Sequence, residues 1–254
     1  WNYRLRRYML MDIGYLIHFS IDDVINNFRW IYLNRPKSVF EVPFFKTLKE
    51  WHIEYGISCD LYVYEIGDGF QLSDLQDQYW EEFRQNASWL KFGWHRRKAG
   101  ELTDDIETEI TSFIRMKNLV CSKISQDAWS DTLRLHKWKG DKKLLQCLRE
   151  YGIKNLLTSY DGTLSYDLRE EDQLLLNNEG VIYKEPFYYI KTDIRLDYLS
   201  SELDVNNTVD FLEDHFGRHK KIGNIIAFCH EWAFEDTKIF LQLLWDRLAE
   251  VDIN

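Results

Sequence analysis

Proline is scarce in this sequence, with three in 254 residues, and cysteine is nearly so, with four. Hydrophobic residues make up 45% and charged residues 29%. A chain so poor in proline and so rich in apolar residues folds, and low-complexity disorder is excluded. Cys59, Cys121, Cys147 and Cys229 stand far apart, without a C-x-x-C pair or any other metal-ligand spacing. They read as reduced, buried thiols of a cytoplasmic protein. Basic excess is missing as well: the formal charge is −10 and the sequence pI about 5.2. That balance excludes generic binding to nucleic acid or to an anionic membrane, both of which need a basic face, and favours a neutral or locally neutralised substrate. The apolar runs are short. The segment IGNIIAFC at 222–229 falls far below the roughly 20 residues that span a bilayer. The opening WNYRLRRYMLMD is basic but has neither the apolar core nor the small-residue cleavage site of a secretory signal.

What the chain does have is an alternation of strand-like and helix-like segments. Tyr15–Phe19 is strand-like. Apolar positions at helical spacing follow over 38–55 and stop at Gly56. A second strand is expected over Ile57–Tyr64, a helix around 73–86 and a third strand in WLKFGWH at 89–95. Segment 103–117 opens on Thr and acidic residues and closes on Arg and Lys, as a capped helix should. Strand TLRLH (132–136), helix DKKLLQCLREY ending at Gly152, and strand KNLLTS (154–159) come next. Residues 160–200 are less regular, with VIY and FYYIKTD as short strands and room for an inserted hairpin or lid. A helix over 205–219, a strand over 224–232 and a final amphipathic helix complete the pattern. The count is about seven strands, and no Pro/Gly/Ser linker divides them, so one domain over 1–254 is expected. Strands alternating with helices imply a parallel sheet with right-handed crossovers, which an open doubly wound sheet and a closed barrel both satisfy. No G-x-G-x-x-G or Walker-type loop follows the first strand, so a nucleotide-binding fold lacks support.

In either architecture the loops after the strands converge at one end, and reactive groups gather there. The residues just beyond the apolar runs are Asp22 and Asp23, His95, Arg134 and His136, Asp161, and finally His230, Glu231 and Trp232. Taken singly, the two aspartates read equally well as an N-cap with a first-turn acid, and the histidines as satisfied strand ends. Taken together, carboxylate and imidazoles suit zinc, iron, cobalt or nickel. A second carboxylate would then take a proton from water made acidic by the cation, and a late histidine would return one to a leaving group.

The order SIDD, FGWH, RLH and CHEW resembles a divergent polysaccharide deacetylase of the NodB-like carbohydrate esterases. The resemblance runs along nearly the whole chain on short, degenerate motifs. It implies an α/β fold, a distorted seven-stranded (β/α) barrel, and removal of acetyl groups from amino sugars with a divalent metal such as zinc, cobalt or nickel. SIDD resembles the family's T-F-D-D, which makes Asp22 the general base and Asp23 a metal ligand. His95 in FGWH would be a second ligand, Arg134 in RLH would stand by the base, and His230 in CHEW would be the general acid. Two departures stand out. Ala99 occupies the place of the family's second ligand histidine, four residues after His95, so His136 would have to replace it or the metal would be weak or absent. Val24 follows Asp23 where the family has glycine, which is tolerable only if that position needs no positive φ.

Trp94, Trp138 and Trp232 each lie close to a candidate site residue, and their rings would stack on sugar faces, although most of ten tryptophans should fill a core. With Glu231 they form the expected substrate-binding set for a carbohydrate partner. The runs HRRK (95–98) and REEDQ (169–173) read as solvated surface, with Arg96 and Arg97 the alternative holders of an anionic group. His18, His52, His215 and His219 fall outside the expected site. Two readings emerge: a metal-dependent N- or O-deacetylase of a saccharide, and a barrel that has lost catalysis and binds carbohydrate or regulates a partner.

Overall fold

The computed structural model describes residues 16–99, 105–218 and 224–251. Tyr15 and the basic opening stretch, the Thr103 and Asp104 helix opening, and His219 lie outside the described residues, as does the side chain of His215. The elements run β1 (Leu16–Val24), α1 (Asn26–Asn34), α2 (Pro43–Tyr55), β2 (Cys59–Gly67), β3 (Phe70–Gln71), α3 (Asp77–Gln85), β4 (Leu90–Lys98), α4 (Ile106–Lys123), β5 (Thr132–Leu133), α5 (Lys142–Glu150), β6 (Asn155–Leu157), α6 (Glu170–Glu179), β7 (Val181–Lys184), β8 (Phe187–Ile190), β9 (Ile194–Arg195), α7 (Glu202–Arg218), β10 (Asn224–His230) and α8 (Phe234–Val251).

Local chemistry explains most boundaries. α2 starts with Pro43 in its first turn, where the missing N–H costs nothing, and ends on Gly56 at φ 68°. Asp105 caps α4 by accepting from the N–H groups of Glu107 and Thr108, and Asp141 caps α5 through Leu144. The expected helix over 38–55 is broken: a 3-10 turn at Val39–Glu41 precedes α2 because Val42, just before Pro43, is extended. The irregular region contains α6, whose acidic first turn and Gly180 at φ 73° mark a helix. The expected strands at 132–136 and 154–159 shrink to two and three residues.

The described strands form two sheets. One has the order β3-β2-β1-β10-β9 with β4 also on β2, and the other the order β5-β6-β8-β7. β1, β2, β4, β9 and β10 pair in parallel, and so do β5, β6 and β8, whereas β3 and β7 are antiparallel. A bridge between Phe92 and Trp129, with the Ser130 N–H donating to the Phe92 carbonyl at 2.9 Å, links β4 to the segment entering β5. At the other side residues 191–193 carry the chain from β8 straight into β9.

The strands' apolar side chains lie in one hydrophobic cluster reaching from Phe19 to Leu248. Two aromatic groups anchor it. Phe28, Phe45, Phe83 and Phe92 pack with centroids 5.3 to 6.0 Å apart, while Phe19, Trp51, Phe234 and Trp245 join β1 to α2 and α8. Gly93 is required in β4: a Cβ there would meet the Tyr62 ring at 2.6 Å. Cys59, Cys147 and Cys229 are buried free thiols, as expected, and Cys121 is half-buried. No described helix is long and apolar enough to cross a membrane.

Candidate metal centre

β1 is regular up to Ile21, then slips. Ile21 pairs with Leu61 and Val24 with Val63, so β1 carries one extra residue at Asp22–Asp23. A second slip lies in β4, where Val63 pairs with Trp94 and Tyr64 with Arg96, leaving His95 as the extra residue. Bulges of this kind re-aim a side chain at a strand end. Asp23 takes φ 61°, in the left-handed region that aspartate tolerates better than most residues. The positive φ therefore falls on Asp23 itself, and Val24 lies in ordinary strand conformation as a buried core residue.

The slips bring Asp23, His95 and His136 together, each offering one ligating atom within 4.8 Å of the other two. His95 Nε2 is 3.2 Å and His136 Nδ1 3.4 Å from Asp23 Oδ1. Tyr64, at the end of β2, donates its hydroxyl proton to Asp23 Oδ1, and its oxygen lies 2.8 Å from His136 Nδ1. His95 Nδ1 donates to the Arg134 carbonyl at 2.7 Å. That bond fixes the ring and leaves Nε2 facing the carboxylate. His136 Nε2 is buried without a hydrogen-bond partner.

The donor set fits a divalent transition ion: two imidazoles and one carboxylate, with histidine orientation set by outer hydrogen bonds. The 3.2 Å separation of His95 Nε2 and Asp23 Oδ1 matches the roughly 3.3 Å edge of a tetrahedron with bonds of about 2.0–2.1 Å. Electrostatics agree. Burial would raise the Asp23 carboxyl, but hydrogen bonds from His136, His95 and Tyr64 outweigh it and hold the group well below the usual carboxylate range. Burial lowers His95, and the neighbouring Asp23 and Asp22 more than reverse that. Burial, then Asp23, push the Tyr64 phenol far up, so it remains a donor.

Asp22 points elsewhere. Its Oδ1 accepts from Arg134 Nη1 at 3.0 Å, and the same nitrogen reaches Ser20 Oγ at 2.8 Å, while Nη2 lies 3.3 Å from Thr192 Oγ1. Arg134 is buried and lies over the Phe228 ring at 4.2 Å. His230 sits beside Asp22 in the β1–β10 register. Its Nδ1 is 2.6 Å from Asp197 Oδ2, its backbone N–H donates to Asp197 Oδ1 at 2.7 Å, and Arg195 Nε donates to Oδ2 at 2.6 Å. Burial raises the Asp197 carboxyl, but these His230 and Arg195 bonds hold it below its ordinary value.

Several expected site residues are elsewhere. Trp94 is fully buried, donates to Ser112 Oγ and packs on Phe113, so it is core and not a sugar platform. Glu231 does not face a ligand. Its carboxylate accepts from the N–H groups of Ile25, Asn26 and Asn27 at 3.0, 2.8 and 2.8 Å and from the Asn27 side chain, capping α1 from across the fold. Asp22 and Asp23 therefore do not cap the helix that follows them. Arg96 is neither surface nor substrate contact: it is buried 3.3 Å from Glu109, and its Nη1 donates to the Lys139 carbonyl. Asp161 is exposed and accepts from Thr163 N–H within its own turn. Trp138 is half-buried and Trp232 exposed, the latter stacked on His230 at 5.1 Å. His52 stacks on Trp89, and His18 is buried inside the sheet. Tyr64 and Asp197 were not among the expected residues. Tyr64 ends an apolar run as Asp23 and His95 do, and Asp197 follows the two-residue β9.

The chain has a mixed α/β fold with neighbours of the TIM-barrel type. The crystal structure of 4-alpha-glucanotransferase from Thermococcus litoralis aligns with 91% of this chain at 16% identity and a TM-score of 0.59. This chain spans 37% of that protein's length. A protein from Bordetella bronchiseptica described as a polysaccharide deacetylase involved in O-antigen biosynthesis covers 88% of this chain and 77% of its own, at 10% identity and a TM-score of 0.40. No family model matches the sequence, and no curated protein does.

Proposed function

We propose that this chain is a single distorted (β/α) barrel of the deacetylase type and a metal-dependent hydrolase that removes acyl groups from a saccharide. The observation that carries the reading is the Asp23–His95–His136 cluster, with its buried, unpartnered imidazole nitrogen, beside an Arg134-held Asp22. The saccharide part is supported by the fold shared with a glucanotransferase. The barrel reading is supported by the Phe92–Trp129 bridge on one side and the β8–β9 continuity on the other.

Asp23, His95 and His136 would hold the ion, which when bound would supply a Lewis acid for the acyl oxygen and lower the pKa of water. Asp22 takes the proton from the attacking water, and Arg134 holds that carboxylate in place through Nη1. His230, fixed by Asp197 at Nδ1, presents Nε2 as proton donor to the departing amine or alcohol. His136 takes the place that Ala99 leaves empty in the family pattern, and a complete ligand set favours a working site over a barrel that has lost catalysis.

The test measures metal and acetate together. Protein purified without chelator should bind zinc, cobalt or nickel, and His95→Ala should weaken zinc binding at least about 100-fold by chelator competition, beyond what loss of an outer partner costs. Asp22→Asn should retain the metal and lose acetate release from N-acetylated oligosaccharides. Absence of metal binding by the native protein would sink the hydrolase reading and leave the carbohydrate-binding one.

A further inference from the structure

A band of aromatic rings that the hydrolytic reading does not use adjoins His230. Trp138, two residues past His136, packs on Tyr160 with centroids 6.1 Å apart. The Arg195 guanidinium follows, 5.7 Å from the Tyr160 ring and 5.1 Å from the Tyr198 ring. Tyr198 then meets Trp232 at 6.4 Å, and Trp232 stacks on His230 at 5.1 Å with an interplanar angle of 26°. The band thus runs unbroken from the loop of a candidate metal ligand to the candidate proton donor, with one cation at its middle.

Two features separate this band from core packing. Tyr198 is 73% and Trp232 54% exposed, although large aromatic side chains ordinarily bury their faces. Arg195 is a charged group set between two ring faces in a chain of net charge −10, and its Nε is fixed by Asp197. Exposed rings offer stacking faces to the apolar sides of sugar rings, and several in a row suit several sugar units. A guanidinium at the centre suits a planar carboxylate.

We propose that the band Trp138–Tyr160–Arg195–Tyr198–Trp232 is a glycan-binding rim that selects an acidic oligosaccharide, its carboxylate read by Arg195. This rests on the saccharide hydrolase reading and specifies its substrate class. The test is binding by zinc-loaded Asp22→Asn protein, so that turnover does not intrude. The probes are a heparosan hexasaccharide, which alternates uronate with N-acetylglucosamine, and the neutral N-acetylchitohexaose. The acidic hexasaccharide should bind about tenfold or more tightly than the neutral one, the size of one charge-assisted hydrogen bond. Tyr198→Ala, at an exposed position that leaves folding intact, should weaken both roughly tenfold. Arg195→Gln should abolish the preference for the acidic probe. Equal binding of the two probes, no binding of either, or unchanged affinity in Tyr198→Ala would each overturn the inference. Its failure is distinct from that of the hydrolase reading: wild-type protein that binds the acidic probe but releases no acetate leaves the rim standing.

Discussion

The candidate centre is built from two unlike halves. Asp23 and His95 stand on nine-residue strands, each at a bulge, with pairing continuing on both sides. His136 stands in a loop after a two-residue strand, and the next two residues, Lys137 and Trp138, are at φ 55° and 53°. The strand half holds its ligands by ladder and core. The loop half is held by two side chains and one backbone bond: Arg96 on the Lys139 carbonyl, Tyr64 on the imidazole, and the Tyr166 N–H donating to the Trp138 carbonyl at 2.7 Å. The difference teaches that a candidate ligand does not need a long strand of its own. It needs a backbone held in a costly conformation by groups around it.

The contrast can be tested by mutations that act on one half at a time. Trp94→Ala removes a fully buried ring next to His95 and should cost about 3–5 kcal/mol in urea unfolding. A loss under about 1 kcal/mol would mean that β4 is not held by its core face. Glu231→Ala leaves three backbone N–H groups at the start of α1 without their acceptor and should cost about 1–3 kcal/mol. Thermal unfolding in the same buffer checks it, and an unchanged midpoint would remove the capping role. Lys137→Gly relieves one left-handed residue and should stabilise the protein by up to about 1 kcal/mol. It should also weaken zinc binding by loosening His136. A mutant that is both more stable and equally tight would show that the loop's strain has no part in holding the ligand.

The two halves also differ in how far the sequence discloses them. β1, β2, β4 and β10 are long enough for their apolar runs to be read directly, and Asp22, Asp23, His95 and His230 follow from their ends. β5, β6 and β9 have two or three residues, too few for a period, so the ends at 134–136 were placed while the strand itself was drawn too long. Asp197 escaped notice because β9 hardly registers as a strand. Asp22 and Asp23 read as one alternative for the cap of α1 because its true acceptor, Glu231, is 204 or more residues away. Trp94 looked like a platform from its adjacency to His95 in sequence, but neighbours along a strand point to opposite faces.

The cap on α1 has a consequence for assembly in time. Residues 25–27 follow the Asp22–Asp23 bulge, and the carboxylate that ties them down arrives with β10, after more than 200 intervening residues. Loop closure over that span is slow and entropically costly. Until β10 docks, the first N–H groups of α1 lack that acceptor. The two ends of the described fold are thereby coupled: the step that docks β10 on β1 is also the step that satisfies the first N–H groups of α1.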